Sequence, residues 1–231
     1  MSNKTTILEG YSNIEKGAYL GALASLATAD RNASAEELDY LKALIESAGV
    51  TEDQSALIMH AATTDAADED LEKFLEILKT SELRFSLVSD VIAFAHADDD
   101  YSEAEQHKVQ QIANYLGVND EQVEVLSEFT DKATEQSAQQ SQNEEKVGTT
   151  DSASFLGSLG LGDKLKNAGI NTNSLFRGAL GILGPMLLGR MMGGGGRRRG
   201  GGMLGGLLGG IFGGGRGFGN AAGMLGRLFK R

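Results

Sequence analysis

Two short stretches place carboxylates and hydroxyls at a spacing able to hold a hard cation. "ATADRNASAEE" runs from Ala27 and "AHADDDYSEAE" from Ala95; both read Ala-x-Ala-Asp, a polar loop, then Ser-x-x-Glu. The oxygen-bearing side chains are Asp30, Asn32, Ser34 and Glu37 in the first, and Asp98, Asp100, Ser102 and Glu105 in the second. The order D-x-[DN]-x-S repeats the first three ligand positions of a calcium loop, where alternate oxygens curl around the ion. The match then stops, because the turn glycine is replaced by Ala35 or Glu103 and the twelfth-position Glu by Leu41 or Val109. Neither stretch is an EF-hand, and Glu37 or Glu105 would have to close the site from one turn into the next helix.

A second chemistry explains much of the same pattern. Ser34-Ala35-Glu36-Glu37 and Ser102-Glu103-Ala104-Glu105 are capping boxes, in which Ser accepts from the backbone and Glu reaches back to it. That leaves the first Asp of each turn to account for. Asp30 and Asp98 would close the preceding helix, where the macrodipole disfavours negative charge by up to about 1 kcal/mol. Either a neighbouring helix N-terminus or a bound cation would offset that cost. Asp98-Asp99-Asp100 puts three carboxylates in succession, more than capping requires, so both readings stay open.

The elements that must position these turns are helical. Leu20, Leu23, Leu26 and Ala27 share one face, as do Leu38, Leu41, Leu44, Ile45 and Ala48. Gly49 and Gly117 stand where a helix ends in a left-handed residue. Thr51-Glu52-Asp53-Gln54 and Asn119-Asp120-Glu121-Gln122 then start new helices, and the acidic run Asp65–Glu72 opens another. At an offset of 68, the pairs Ala27/Ala95, Asp30/Asp98, Ser34/Ser102, Glu37/Glu105, Gly49/Gly117 and Gln54/Gln122 are identical. A duplicated helical unit follows, and two such units bury their apolar stripes only by packing together. The expected fold is all-α: a compact bundle of six or seven helices, followed by a flexible glycine-rich tail.

Composition divides the chain along the same line. Residues 1–150 carry 10 Lys and Arg against 30 Asp and Glu, whereas residues 151–231 carry 11 against 2. Of the 32 glycines, 27 lie at or beyond residue 148. The reading is an acidic helical domain over 1–136, a polar linker over 137–154 and a basic, apolar, glycine-rich tail over 155–231. The chain has no cysteine, which excludes disulfides, thiolate metal sites and cysteine nucleophiles. The N-terminal residues lack the apolar core of a signal peptide, so the cytoplasm is the expected location. His60, His96 and His107 form no zinc-binding spacing, and no catalytic triad, phosphate loop or dinucleotide fingerprint is present. No enzyme is expected.

The tail admits three partners. Its apolar residues and positive charge suit an anionic membrane surface, although "SLFRGALGILGPMLLGRMM" is too short between its arginines to span one. Self-association, or docking on the acidic domain, is the second. Nucleic acid is disfavoured, because "GGGGRRRGGG" lacks interleaved aromatics and the acidic domain repels phosphate.

"ALASLATADRNASAEELDYLKALIESAGV" and "VSDVIAFAHADDDYSEAEQHKVQQIANYLGV" together resemble the two halves of a TerB-type tellurite-resistance domain, over about residues 10–135. The resemblance implies an all-helical bundle with an internal repeat, a role in stress from tellurite and other xenobiotics, and acidic residues that bind divalent cations, notably calcium. It also implies protein partners at the inner face of the bacterial membrane, with this chain peripheral there. Carried over by position, it points to Asp30 and Glu37 in one turn and Asp98 and Glu105 in the other. Many family members have Gly directly after the Asp; this chain has Arg31 and Asp99. Arg31 sets a positive charge beside the first turn, which favours the second as the cation site.

Overall fold

The structure is a computed structural model and describes residues 7–27, 35–63, 67–96, 103–142 and 157–179. Among them the helices are α1 (Asn13–Ala27), α2 (Ala35–Ala48), α3 (Glu52–Thr63), α4 (Ala67–Leu78), α5 (Leu83–His96), α6 (Glu103–Tyr115), α7 (Asp120–Gln142), α8 (Gly162–Asn167) and α9 (Thr172–Arg177). Seven bundle helices are present, within the six or seven expected, and the described residues contain no strand.

The duplication is visible in how these helices pack. At the offset of 68, α1 corresponds to α5, α2 to α6 and α3 to the first half of α7. The two corresponding helices α1 and α5 are the central ones. Ala18, Tyr19, Leu20, Ala22, Leu23, Ala24 and Leu26 of α1 are buried, as are Leu83, Phe85, Leu87, Val88, Val91, Ile92 and Ala95 of α5. Both are apolar around most of their circumference, as a helix surrounded by others must be. α1 packs against α3 and α4, and α5 against α6 and α7. Glycine sets the closest approaches: a Cβ on Gly21 would stand 2.5 Å from Phe74 of α4, and one on Gly17 3.1 Å from the Gln54 amide of α3.

The predicted boundaries hold at both repeats. Gly49 and Gly117 adopt φ of 64° and 70°. At the second, Val118 N–H donates to Ala113 O and Gly117 N–H to Asn114 O, which together make a Schellman cap. Thr51 and Gln54 form a capping box, as do Asn119 and Gln122. Both glutamines also reach outward: Gln54 donates to Asn13 O at 2.6 Å, and Gln122 to Ala168 O at 3.0 Å.

Two stretches differ from the boundaries expected of linker and tail. α7 is 23 residues long and runs through Gln142. The polar Ala-, Glu- and Gln-rich sequence there has good helix propensity, and extending an established helix avoids the cost of nucleation. Residues 157–179 are folded onto the bundle. Leu159, Leu161, Leu165, Ile170, Leu175 and Ala179 are buried within the same core as the seven helices. Gly169 and Ile170 end α8 with a second Schellman cap, and Asn171 caps α9 by accepting from Asn173 N–H and Ser174 N–H.

This strap is held along its length. Lys132 of α7 donates to Leu159 O, Lys164 pairs with Glu128 at 2.7 Å, and Arg177 donates to Glu9 O at 2.8 Å. The Lys164 and Lys132 ammonium groups hold the Glu128 carboxyl below the usual carboxylate range. Gly178 lies so close to Ser86 of α5 that no side chain would fit between them. α9 packs on α5 and α8 on α7, so the strap closes the second repeat where α4 closes the first on α1. The rest of the tail, from residue 180, lies outside the described residues.

Candidate functional site

The two acidic turns occupy the connections from α1 to α2 and from α5 to α6, equivalent places in the two repeats. Asp30, Asn32 and Ser34, with Asp98, Asp100 and Ser102, lie outside the described residues. Glu37 and Glu105 are each the third residue of the helix that follows, α2 and α6 respectively, and their side chains lie outside the description. Both glutamates lie in the first turn after each loop. That position suits a capping carboxylate and a closing ligand equally. Among the described residues there is no cluster of three or more His, Asp and Glu able to hold a metal.

At the edge of the second turn, His96 ends α5 and its Nδ1 lies 2.8 Å from the Asp131 carboxylate of α7. The pair ties the helix that launches the turn to the long helix beside it.

Sequence reasoning missed a buried polar node between the central helices. Asp90 of α5 and Tyr19 of α1 are both fully buried, and the Tyr19 hydroxyl donates to an Asp90 carboxylate oxygen. Burial pushes the pKa of Tyr40, on α2, well up, and the negative charge of Asp90 adds to the shift. A buried carboxylate costs several kcal/mol if left unpaired, so the tyrosine hydroxyl is part of what permits it. The signal was present in the sequence: Asp90 interrupts the otherwise apolar and small run from Phe85 to Phe94. The node joins α1 and α5, which lead into the two acidic turns, to α2, which leaves the first.

A smaller polar cluster lies on the outer surface. Tyr115 of α6 donates to Glu76 of α4, and Lys79 pairs with Glu76 at 2.6 Å while sitting 4.0 Å over the Tyr115 ring. The Lys79 and Tyr115 hydrogen bonds lower the Glu76 pKa. This arrangement fastens α6 to α4 across the repeats.

Comparison with known proteins places the acidic turns in context. Residues 16–128 match the family model described as tellurite resistance protein TerB. The matched stretch runs from within α1 to within α7 and contains both turns, while the strap lies beyond it. No curated protein and no solved structure matches the chain.

Proposed function

We propose, from the premise that residues 16–128 are a TerB domain of the tellurite-resistance family, that the chain is a non-enzymatic, divalent-cation-binding adaptor in bacterial stress response. The supporting observation is that both acidic turns fall inside the matched stretch, at equivalent helix–helix connections, with Glu37 and Glu105 in the first turn beyond each. The cation is calcium, held chiefly at the second turn by Asp98, Asp100, Ser102 and Glu105. Its charge neutralises crowded carboxylates where α5 meets α6, and so alters the surface offered to a protein partner at the inner membrane face. The basic, apolar tail beyond the strap attaches the protein peripherally to anionic lipid. Among the described residues, no helix is long and apolar enough to cross a membrane.

Calcium titration calorimetry on the full chain tests the cation reading, beside Asp98→Ala combined with Glu105→Ala. Heat that disappears in the double variant supports the site. No heat with millimolar calcium, magnesium or manganese sinks it. Flotation with phosphatidylglycerol vesicles, comparing the full chain with one ended after Ala179, tests the membrane reading separately.

A second reading has its own observation in favour. The Thr51–Gln54 and Asn119–Gln122 boxes share the sequence pattern of Ser34–Glu37 and Ser102–Glu105 and start helices through reciprocal side-chain–backbone hydrogen bonds. On that reading the turns are caps only, and the chain is a metal-free interaction module whose tail drives assembly.

A further inference from the structure

Three large apolar side chains are exposed on the described surface: Ile14 at 64%, Leu57 at 59% and Ile77 at 38%. Contacts between the helices bring them onto one strip. α4 runs antiparallel to α1, since Ser81, just beyond α4, donates to Glu15 while Phe74 faces Gly21. α3 runs the other way beside it: Gln54 reaches Asn13 and Gly17, and His60, two turns on, lies 3.9 Å from Asp70 near the start of α4. Leu57 and Ile77 therefore flank the seam between α3 and α4 where it crosses Gly17 and Gly21 of α1. Ile14, one turn before Gly17 on the same face of α1, stands at the end of that seam.

We infer that this strip is the docking surface for residues 180–192 of the same chain. That segment, "LGILGPMLLGRMM", is apolar but for Arg190 and its glycines and proline. Its starting point is fixed beside the strip. Arg177 donates to Glu9 O, and its guanidinium packs against Gly10, four residues before Ile14. Ala179, the last described residue, is buried, next to Gly178 on Ser86 of α5. Thirteen residues reach about 40 Å when extended, against about 22 Å for the length of α1. Charge agrees as well: residues 180–231 hold eight Lys and Arg and no Asp or Glu, while exposed Glu52 and Asp53 open α3 at one end of the strip. The same acids disfavour an anionic membrane as the occupant of this face. Docking in the same molecule needs no second copy and benefits from the high effective concentration of a tethered segment.

The absence of cysteine in the chain makes a direct test simple. Full-length chains carrying Leu188→Cys with Leu57→Cys are compared, in a glutathione redox buffer, with chains carrying Leu188→Cys and Glu124→Cys. Leu57 and Glu124 are both exposed, so both replacements leave the core untouched. Leu188→Cys with Ile14→Cys is a second pair on the strip. The expected result is an intramolecular disulfide forming about tenfold faster on the strip than at position 124, as a docked segment requires over a merely tethered one. Equal rates at the three positions overturn the inference. Disulfides that form only between molecules also overturn it, and assign the strip to a second copy. Docking uses residues 180–192 and leaves residues 193–231 to the membrane proposal, so calorimetry and flotation can each fail without affecting this result.

Discussion

Leu165→Ala tests whether the strap is part of the core. Leu165 is fully buried in α8, and its neighbours Leu161 and Ile170 are buried in the same cluster. Replacing a fully buried leucine with alanine removes its transfer energy and leaves a cavity, together about 2–5 kcal/mol. One physical limit applies. A strap can come away locally, so the loss cannot exceed the free energy with which residues 157–179 dock. For a chain of this size each kcal/mol moves the midpoint by about 2–4 °C, so a fall of about 5–15 °C is expected. Thermal and urea unfolding followed by far-ultraviolet circular dichroism measure it, with Leu71→Ala in α4 as the counterpart from the first repeat. If the strap completes the second repeat, both variants lower one shared cooperative transition. A Leu165→Ala chain that unfolds at the same midpoint, or that loses only a separate early transition while Leu71→Ala moves the main one, refutes the placement of the strap in the core.

Two further outcomes are expected. Gly21→Ala directs a methyl group into the Phe74 ring, whose nearest carbons would lie 2.5 Å away, and overpacking of this kind costs about 1–3 kcal/mol. Adding Phe74→Leu to Gly21→Ala recovers part of that loss in urea unfolding, and no recovery would mean that the ring is not the obstacle. Burial raises the pKa of Glu15, but hydrogen bonds from Ser81, the Ser12 hydroxyl and the Ser12 amide outweigh it, so the folded value lies below the ordinary one. A depressed carboxyl pKa stabilises the fold above the unfolded value, about 4.5, and the contribution is lost as pH falls through the folded value. The stability gap between wild type and Glu15→Gln, measured from pH 7 down to pH 3, therefore narrows as the pH drops; a gap that widens on acidification contradicts the assigned bonds.

The parts of the fold that were legible in the sequence are those set by local chemistry. Gly49 and Gly117 were readable because a left-handed residue after a helix is nearly always glycine, and Gln54 and Gln122 because a capping box is a four-residue pattern. The duplication made each signal count twice. The strap was hidden because its anchors, from Leu159 to Leu175, are spaced among glycines, as the leucines of the tail that follows are. Whether those leucines are solvated or buried depends on a groove made by α5 and α7, which no window of the strap's own sequence reveals. The family match likewise stops short of the strap, ending at residue 128. For the candidate site, the places of the two turns between helices were legible. Their side-chain geometry lies outside the described residues, so the ligand set rests on spacing and on the match to the TerB family model.

Asp90 has the clearest structural consequence for those turns. An aliphatic residue at 90 would suit the apolar run around it, yet the carboxylate is fully buried and accepts the Tyr19 hydroxyl. Sliding α1 against α5 by one turn would separate these two groups inside the core, at a cost of about 1–3 kcal/mol for each one left unsatisfied. Apolar contacts alone penalise such a slide less, because one leucine can replace another in a neighbouring gap. The node therefore sets the register of the two central helices. Those helices end at Ala27 and His96, the residues from which the acidic turns depart. The relative placement of these two helix ends is thus fixed from the interior by Tyr19 and Asp90, whichever of cation binding or capping the turns themselves perform.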